Sequence, residues 1–292
     1  MINKLSFTKP KIKKEWMKFF SVSRLVVITF FGQPLGVIMA FIAPVVMLVI
    51  IPFLMNGISN VAMKTTLSQL IPGLILTPTI LITTLAVPMV YSAMKEAGML
   101  KKMNVLGIKP GVFLTSLIIV FLLIIIISTL FIYCLAFAIW QKDVPTPSGA
   151  SIIIPFIILI ISGMSLGLAI SNISKSQAIA FAMGVAAYIP ITFMSGLVFP
   201  EAHGWIKGAS KFLPHTHSID LFKIGWHTNS LEVHEYYDGS LVFSPESLKW
   251  VENLINPKIF SGNNADTALS YTYPLLFITS QITIIIFRFK WE

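Results

Sequence analysis

Five histidines are the residues of this chain best suited to chemistry, and all lie in its C-terminal third. They stand among acidic residues, in the set His203, His215, His217, His227 and His234 with Glu201, Asp220, Glu232, Glu235 and Asp238. Imidazoles and carboxylates together bind zinc or copper. His215 and His217 are the candidate ligands, but residues two apart diverge on a helix, and no His-Glu-x-x-His run is present. We therefore expect interfacial histidines that share no metal.

Other forms of catalysis find no support in the residue pattern. The single cysteine, Cys134, lies within an apolar stretch with no histidine nearby, and no Ser/His/Asp set stands in a recognisable frame. The chain also lacks the Gly-x-x-x-x-Gly-Lys-Ser/Thr loop that binds ATP phosphates. We therefore expect no enzymatic activity and no cofactor in this chain.

The elements that must position these residues are six long apolar stretches free of Asp, Glu, Lys and Arg, at 36–55, 70–93, 111–140, 150–171, 176–200 and 269–287. The chain is 55% hydrophobic and 11% charged, with a mean hydropathy of +0.83. A helix of about 20 residues crosses the hydrocarbon core of a bilayer. The pattern therefore predicts an all-α polytopic membrane protein with six spans and no ionisable group inside the membrane.

The basic residues predict how the chain lies in the membrane. The formal net charge is +9, and Lys and Arg concentrate before the first stretch and in the loop after the second. Because positive loops stay on the cytoplasmic side, we expect both termini in the cytoplasm and no role in nucleic-acid binding. Lysine far outnumbers arginine and isoleucine is abundant, which indicates a bacterial protein of the plasma membrane.

Four segments follow from this arrangement: a tail and interfacial helix (1–34), spans one to five (35–200), an extracytoplasmic segment (201–270), and the last span with its tail (271–292). Residues 10–31 read as an amphipathic helix in the inner interface, broken by Gly32-Gln33-Pro34. A hairpin is predicted around Asp238-Gly239, and a helix is predicted to start at Ser244. Two small-residue motifs, Gly163-x-x-x-Gly167 and Ala180-x-x-x-Gly184, predict close helix packing, more within one subunit than between two.

Between the second and third stretches the chain reads Lys95-Glu96-Ala97-Gly98-Met99-Leu100-Lys101-Lys102, within a charged loop at 94–110. This run resembles the coupling segment of type-2 ABC transporter permeases, an Arg-Glu-x-Gly-Thr-Leu-like sequence before a helix that contacts an ATPase subunit. Lys95 stands where Arg is usual, and Met99 stands where Thr or Ser is common. The resemblance assigns coupling to the ATPase to six residues: Lys95, Glu96, Gly98, Leu100, Lys101 and Lys102.

A second resemblance to the same family lies at the end of the fifth stretch. The run Ser195-Gly196-Leu197-Val198-Phe199-Pro200 is similar to the Ser-Gly-x-x-Phe-Pro turn of these permeases. The run from Phe212 to Asp220 resembles their Leu-Pro-Leu-Thr-Tyr-like stretch, although His215 and His217 depart from it. From these two runs, the resemblance assigns an outer-loop motif to six residues: Ser195, Gly196, Phe199, Pro200, Pro214 and Asp220. Residues 229–270 look like an insertion beyond the family's usual loop.

The resemblance implies a membrane subunit that takes its energy from a separate chain. ATP and Mg would bind to that ATPase partner, and two six-span subunits, identical or related, would enclose a pathway in the bilayer. The charge-free spans fit export of an apolar or amphipathic cargo, such as a drug, lipid or peptide, and fit a small ion poorly. Three alternatives stay open: an ion-coupled secondary transporter, an extracytoplasmic metal-binding membrane protein, and a structural scaffold.

Overall fold

The computed structural model describes residues 9–54, 60–140, 149–195, 197, 209–210, 212–227, 272, 274–281 and 283. Regular structure in this part of the chain is entirely helical. This confirms an all-α protein. The predicted hairpin at Asp238-Gly239, the helix predicted to start at Ser244 and the insertion at 229–270 lie outside the described residues.

The first two helices meet at a sharp bend. Helix α1 spans Lys9–Phe31 and buries Val22, Val26 and Phe30, which recur at every fourth residue and so line one face. Helix α2 begins at Pro34, a residue suited to the first helical position. It comprises Pro34–Val37, a π-helical turn at Ile38–Ile42, and Ala43–Leu54. The 88° angle between α1 and α2 confirms the predicted break at Gly32-Gln33-Pro34.

Helix α3 is the centre of the bundle. It consists of Asn60–Leu81, a π-helical turn at Ile82–Ala86, and Val87–Glu96. The stretch Leu70–Glu96 is buried along its most apolar window. Pro88 lies two residues after the π-helical turn and leaves the carbonyl of Thr84, four residues earlier, without its α-helical donor. This carbonyl oxygen can therefore meet a neighbouring helix.

Five further helices surround α3. Helix α4 is short (Met99–Val105), α5 spans Pro110–Trp140, α6 spans Gly149–Ile173, α7 spans Gln177–Met194, and α8 spans Pro214–His227. Helix α1 packs on α5, the second half of α3 packs on α6 and α7, and α8 lies mainly against α6. Residues 274–281 are also helical and belong to the predicted sixth span.

The described residues contain four helices that are long and apolar enough to cross a membrane, or five if the bent pair α1–α2 counts as one span. The four are Leu70–Glu96, Pro110–Ile139, Ile152–Ile173 and Gln177–Met194. Each overlaps one of the predicted stretches. The fifth predicted stretch, 176–200, is longer than its helix, because α7 ends at Met194 and Ser195 lies in a turn. A six-span arrangement and its orientation stay predictions.

The bundle has two apolar cores, one toward each end. The first joins α1, α5 and the second half of α3 through side chains that include Phe30, Tyr91 and Phe121. The second joins the first half of α3 to α8 through Ile75, Phe222 and Trp226, among others. We call the end that carries residues 94–110 and the α6–α7 turn (172–176) the basic end. We call the end that carries α8 the histidine end.

Candidate coupling site at the basic end

Two glycines delimit the segment that the sequence predicts to couple the protein to an ATPase. Gly98 has a φ of +67° before α4, and Gly107 has a φ of +66° after it. Residues with a side chain rarely adopt this left-handed conformation. The chain can therefore leave α3, form the short helix α4 and turn again into α5. The predicted short helix with a break on each side is present.

Helix α4 is half embedded in the protein and half exposed. Leu100 and Met103 are buried in the first apolar core. Lys101 and Lys102 are exposed, and so are Val105 and Leu106, at 88% and 71%. Two adjacent apolar side chains at such exposure, beside two lysines, form a surface that no other described residue covers. We call Lys101, Lys102, Val105 and Leu106 the exposed tip.

Lys95 and Glu96 have partners within the chain, Lys95 on the α6–α7 turn and Glu96 at the first residue of α7. Lys95 Nζ donates to the carbonyl oxygen of Ser174 at 3.4 Å. Glu96 Oε2 accepts a hydrogen bond from the backbone N–H of Gln177 at 3.0 Å. Gln177 is the first residue of α7, where free N–H groups and the helix dipole favour an anion. The two residues therefore connect the end of α3 to the start of α7.

Tyr91 adds a deeper connection between the same elements. Its hydroxyl donates to Oδ1 of Asn172 at 3.1 Å, and its ring is buried against Phe113 at 5.6 Å between centroids. Ser176 caps α7 by accepting from the N–H of Ile179 at 3.3 Å. The α6–α7 turn is therefore held at Asn172, Ser174 and Gln177 by the last turns of α3.

Helix α1 is attached to the far side of the same segment. Lys18 Nζ donates to the carbonyl oxygen of Gly107 at 2.7 Å. Ser116 of α5 also hydrogen-bonds to the carbonyl oxygen of Phe19 at 3.4 Å. Trp16 and Phe20 remain exposed, at 57% and 62%, on the side of α1 that does not pack on the bundle. An exposed aromatic surface of this kind fits the predicted interfacial helix.

Glycines bring α6 and α7 into contact with the π-helical turn of α3. A Cβ at Gly167 would fall on the carbonyl oxygen of Thr83, and a Cβ at Gly184 on that of Thr84. A Cβ at Gly163 would clash with the Thr83 side chain. Both predicted small-residue motifs therefore pack within one subunit. The hydroxyls of Thr83 and Thr84 donate to carbonyls one turn earlier, at 2.8 Å and 2.6 Å.

The outer-loop motif divides between described and undescribed residues. Ser195 follows α7 directly and its hydroxyl donates to the carbonyl of Ile191, while Pro214 starts α8 and Asp220 is exposed on it. Gly196, Phe199 and Pro200 lie outside the described residues. Leu197, between them, meets α3 so closely that a Cβ at Gly73 would fall on its carbonyl oxygen.

His215 is the buried residue of the histidine end that can titrate near neutral pH. It is 1% exposed, neither ring nitrogen has a hydrogen-bond partner, and its ring lies 6.4 Å from that of Phe277 between centroids. Burial lowers the pKa of the His215 imidazole, because the charged form loses its hydration. His217 is only half-buried, so the two histidines diverge on α8 as expected for a helix. Among the described residues, His, Cys, Asp and Glu form no group of three that could hold a metal ion.

The sequence indicated the coupling segment but not the residues elsewhere in the chain that hydrogen-bond to it. Lys18 and Gly107 are 89 positions apart, and Glu96 and Gln177 are 81 apart, so no local pattern joins them. The exposed pair Val105 and Leu106 was predictable as a contact surface, because two adjacent apolar residues stand in a charged loop between spans.

Comparison with known proteins identifies the protein's family. No curated protein and no solved structure matches the chain significantly. The profile of the family described as "ABC-2 type transporter" matches residues 17–225, which is well over half of the chain. The match begins in α1, includes the exposed tip and the π-helical turn, and ends within α8. The chain belongs to the ABC-2 type transporter family, as a multi-pass membrane permease component.

Proposed function

We propose that this permease subunit is driven by a separate ATPase chain that binds the exposed tip, and that it exports an apolar or amphipathic cargo. The observation that carries the proposal is the placement of α4. Its buried side, through Leu100 and Met103, is fixed in the first core, while Val105 and Leu106 are offered to solvent. A helix held on one side and bare on the other can transmit a push from a bound partner into the bundle.

The side chains of the exposed tip indicate what kind of ATPase surface would bind them. Val105 and Leu106 would enter an apolar depression on the ATPase, and the ammonium groups of Lys101 and Lys102 would lie against acidic or carbonyl groups at its rim. Apolar burial supplies the affinity and the charges fix the orientation. Glu96 and Lys95, which the resemblance also assigned to coupling, would act from behind this surface through their contacts with the α6–α7 turn.

The buried polar residues of the described spans support an uncharged or amphipathic cargo. Apart from His215, Tyr91 and Trp226, every buried residue with a polar side-chain atom among the described residues is a serine or threonine. Hydroxyls inside a membrane can hydrogen-bond to the backbone, as Thr83 and Ser171 do. They do not offer the midplane carboxylate that ion-coupled transporters commonly use. We also propose that the protein lies in a bacterial plasma membrane and pairs with a second permease subunit.

Co-purification tests the ATPase partnership. A candidate ABC-family ATPase subunit is co-expressed with the permease and captured from detergent extract. We expect Val105→Glu with Leu106→Glu to abolish capture, because two buried carboxylates would oppose docking. Lys175→Glu, a charge change on the exposed part of the α6–α7 turn, is the matched control and retains capture. Equal capture of both variants would remove the exposed tip from the interface.

Reconstituted vesicles test the transport function. The purified complex, with a fluorescent phospholipid as the probe, is expected to move the probe between leaflets only when ATP and Mg are supplied. The double variant Glu96→Ala, Gly98→Ala is expected to hydrolyse ATP while moving less probe per ATP. Hydrolysis that no lipid, drug or hydrophobic peptide stimulates, together with no movement of any of them, would overturn the proposed cargo class.

A further inference from the structure

The contacts at the basic end bind the α6–α7 turn to the end of α3 at three points. Within that turn and the first residue of α7, Asn172, Ser174 and Gln177 each accept or donate one hydrogen bond to α3 residues. We call the three donor–acceptor pairs Tyr91–Asn172, Lys95–Ser174 and Glu96–Gln177 the clamp. Three directional bonds fix both position and orientation, whereas apolar packing alone would allow the turn to slide.

Helix α7 is the span that the clamp is best placed to move. Only 22% of its most apolar window is buried within the chain, against 100% for α3. The contacts of α7 lie mainly on one side, against the second half of α3 and the π-helical turn, where Gly184 approaches the Thr84 carbonyl and the clamp holds the first residue. A displacement of the clamp would tilt α7 about the Gly184 contact.

We propose that the clamp makes α7 a direct receiver of the ATPase motion, with Tyr91, Glu96 and Asn172 as positioning residues. The inference rests on the proposed function, in which the ATPase pushes on the exposed tip. The push enters at α4 and reaches the end of α3 within a few residues. The clamp passes it to the first residue of α7, so α3 and α7 respond together. Without the clamp, the push would reach α7 only through the non-directional packing of the second half of α3 and its π-helical turn on α7.

A distance measurement with paired spin labels tests the first half of the inference. Cys134 is the only cysteine in the chain, so Cys134→Ser gives a background in which two new cysteines can be labelled. One pair replaces the exposed Ala97, which follows α3 and lies outside the exposed tip, and the exposed Lys175 of the α6–α7 turn, on the two sides of the clamp. In the complex with its ATPase we expect one narrow distance distribution, the same with and without a non-hydrolysable ATP analogue. The labelled chain is diluted with unlabelled chain, so that only pairs within one subunit are seen.

A second label pair reports the movement of α7 itself. It replaces Ile189 on α7 and Phe137 on α5, both about half exposed. We expect the ATP analogue to shift this distance in the intact protein and in Glu96→Gln, whose amide oxygen still accepts from Gln177. In Glu96→Ala combined with Tyr91→Phe, we expect the shift to be lost and the Ala97–Lys175 distribution to broaden. ATP hydrolysis stays within about twofold, while lipid movement per ATP falls about tenfold, a size typical of coupling between sites.

The results separate a failed clamp from a failed function. A clamp that serves folding alone would lower the thermal midpoint of Glu96→Ala and leave the shift of α7 intact, and that result overturns the inference. A full α7 shift in the double variant overturns it as well, even where the ATPase binds and hydrolyses normally. A protein that captures no ATPase in its unsubstituted form overturns the proposed function and the inference with it.

Discussion

The basic end and the histidine end of the bundle differ in the hydrogen bonds of their polar side chains. At the basic end, Tyr91, Lys95, Glu96 and Lys18 form hydrogen bonds that join elements distant in the sequence, although Ser92 Oγ and Asn172 Nδ2 are buried there without a partner. At the histidine end, the buried polar atoms without a partner belong to His215, Thr216 and Trp226. The two ends therefore differ in how firmly hydrogen bonds join their elements, although each end has its own apolar core.

The difference concerns how firmly each end is fixed. A hydrogen bond between elements contributes only about 1 kcal/mol, but it defines one geometry. A buried polar group without a partner destabilises the folded protein by about 1–3 kcal/mol, and any rearrangement that supplies a partner recovers part of this stability. The basic end is suited to transmit movement, and the histidine end is suited to rearrange or to receive a polar group from outside. Four predictions test this contrast.

The largest effect is expected from Gly73→Ala. Its methyl group would collide with the backbone of Leu197, which cannot move as a flexible side chain can. We expect a loss of about 3 kcal/mol of stability, measured as a fall in the thermal midpoint in detergent.

Two glycine variants serve as its controls. Gly98→Ala meets no atom within 4 Å, and only its positive φ opposes the substitution, so we expect a loss of about 1 kcal/mol. Gly111→Ala has neither contact nor positive φ and should leave the midpoint unchanged. Similar losses for Gly73 and Gly98 would show that the α3–Leu197 contact is not rigid.

Acid is expected to weaken the histidine end through His215. Its pKa is lowered in the folded protein, so between that value and about 6.5 the unfolded chain binds more protons. The stability from the neutral imidazole is complete above pH about 6.5 and falls by up to about 1.4 kcal/mol per unit below it. Midpoints measured from pH 7.5 to 5 should fall more steeply for the unsubstituted protein than for His215→Phe. Parallel curves would contradict this assignment.

At the basic end, Tyr91→Phe should destabilise the protein. It removes one hydroxyl from a paired site and leaves Oδ1 of the half-buried Asn172 without its donor. We expect a loss of about 1 kcal/mol in urea or thermal unfolding. An unchanged midpoint would mean that water replaces the hydroxyl and that this pair adds no rigidity.

The smallest effect, with the opposite sign, is expected for Thr216→Val at the histidine end. The substitution removes a buried hydroxyl that has no partner and keeps the shape of the side chain. We expect a gain of about 0.5 kcal/mol, because the valine needs no hydrogen bond. A loss of stability would reveal a partner for this hydroxyl and would blur the contrast between the two ends.

The helical class, the break at Gly32-Gln33-Pro34 and the short helix between Gly98 and Gly107 were predictable because local signals determine them. Apolar run length predicts spans, and glycine or proline predicts breaks. The small-residue motif around Gly163 and Gly167 also predicted close packing correctly. The membership of the family followed from local motifs around Glu96 and Ser195.

The contacts of the candidate site were not predictable in the same way. The resemblance predicts a coupling role for Glu96, which stays a prediction, but it does not predict the contact with the start of α7, since only the folded chain brings residues 81 positions apart together. The burial of His215 also escaped the sequence, because its apolar surroundings come from other elements, such as Phe277. The π-helical turn at Ile82–Ala86 left no signal, as Ile, Thr and Leu occur in any span.

That π-helical turn has a consequence for how the protein tolerates insertion and deletion. A π-helical turn places one extra residue in a helix, so the residues after it are rotated by about 100° from where an unbroken α-helix would put them. Deleting a single residue between 82 and 86 would let this turn close into regular α-helix and leave Lys95 and Glu96 facing the α6–α7 turn. Deleting one residue between 87 and 94 would instead rotate both side chains by about 100° and turn them away. The extra residue in this one interior turn of α3 therefore lets it absorb a deletion that the helix beyond it cannot.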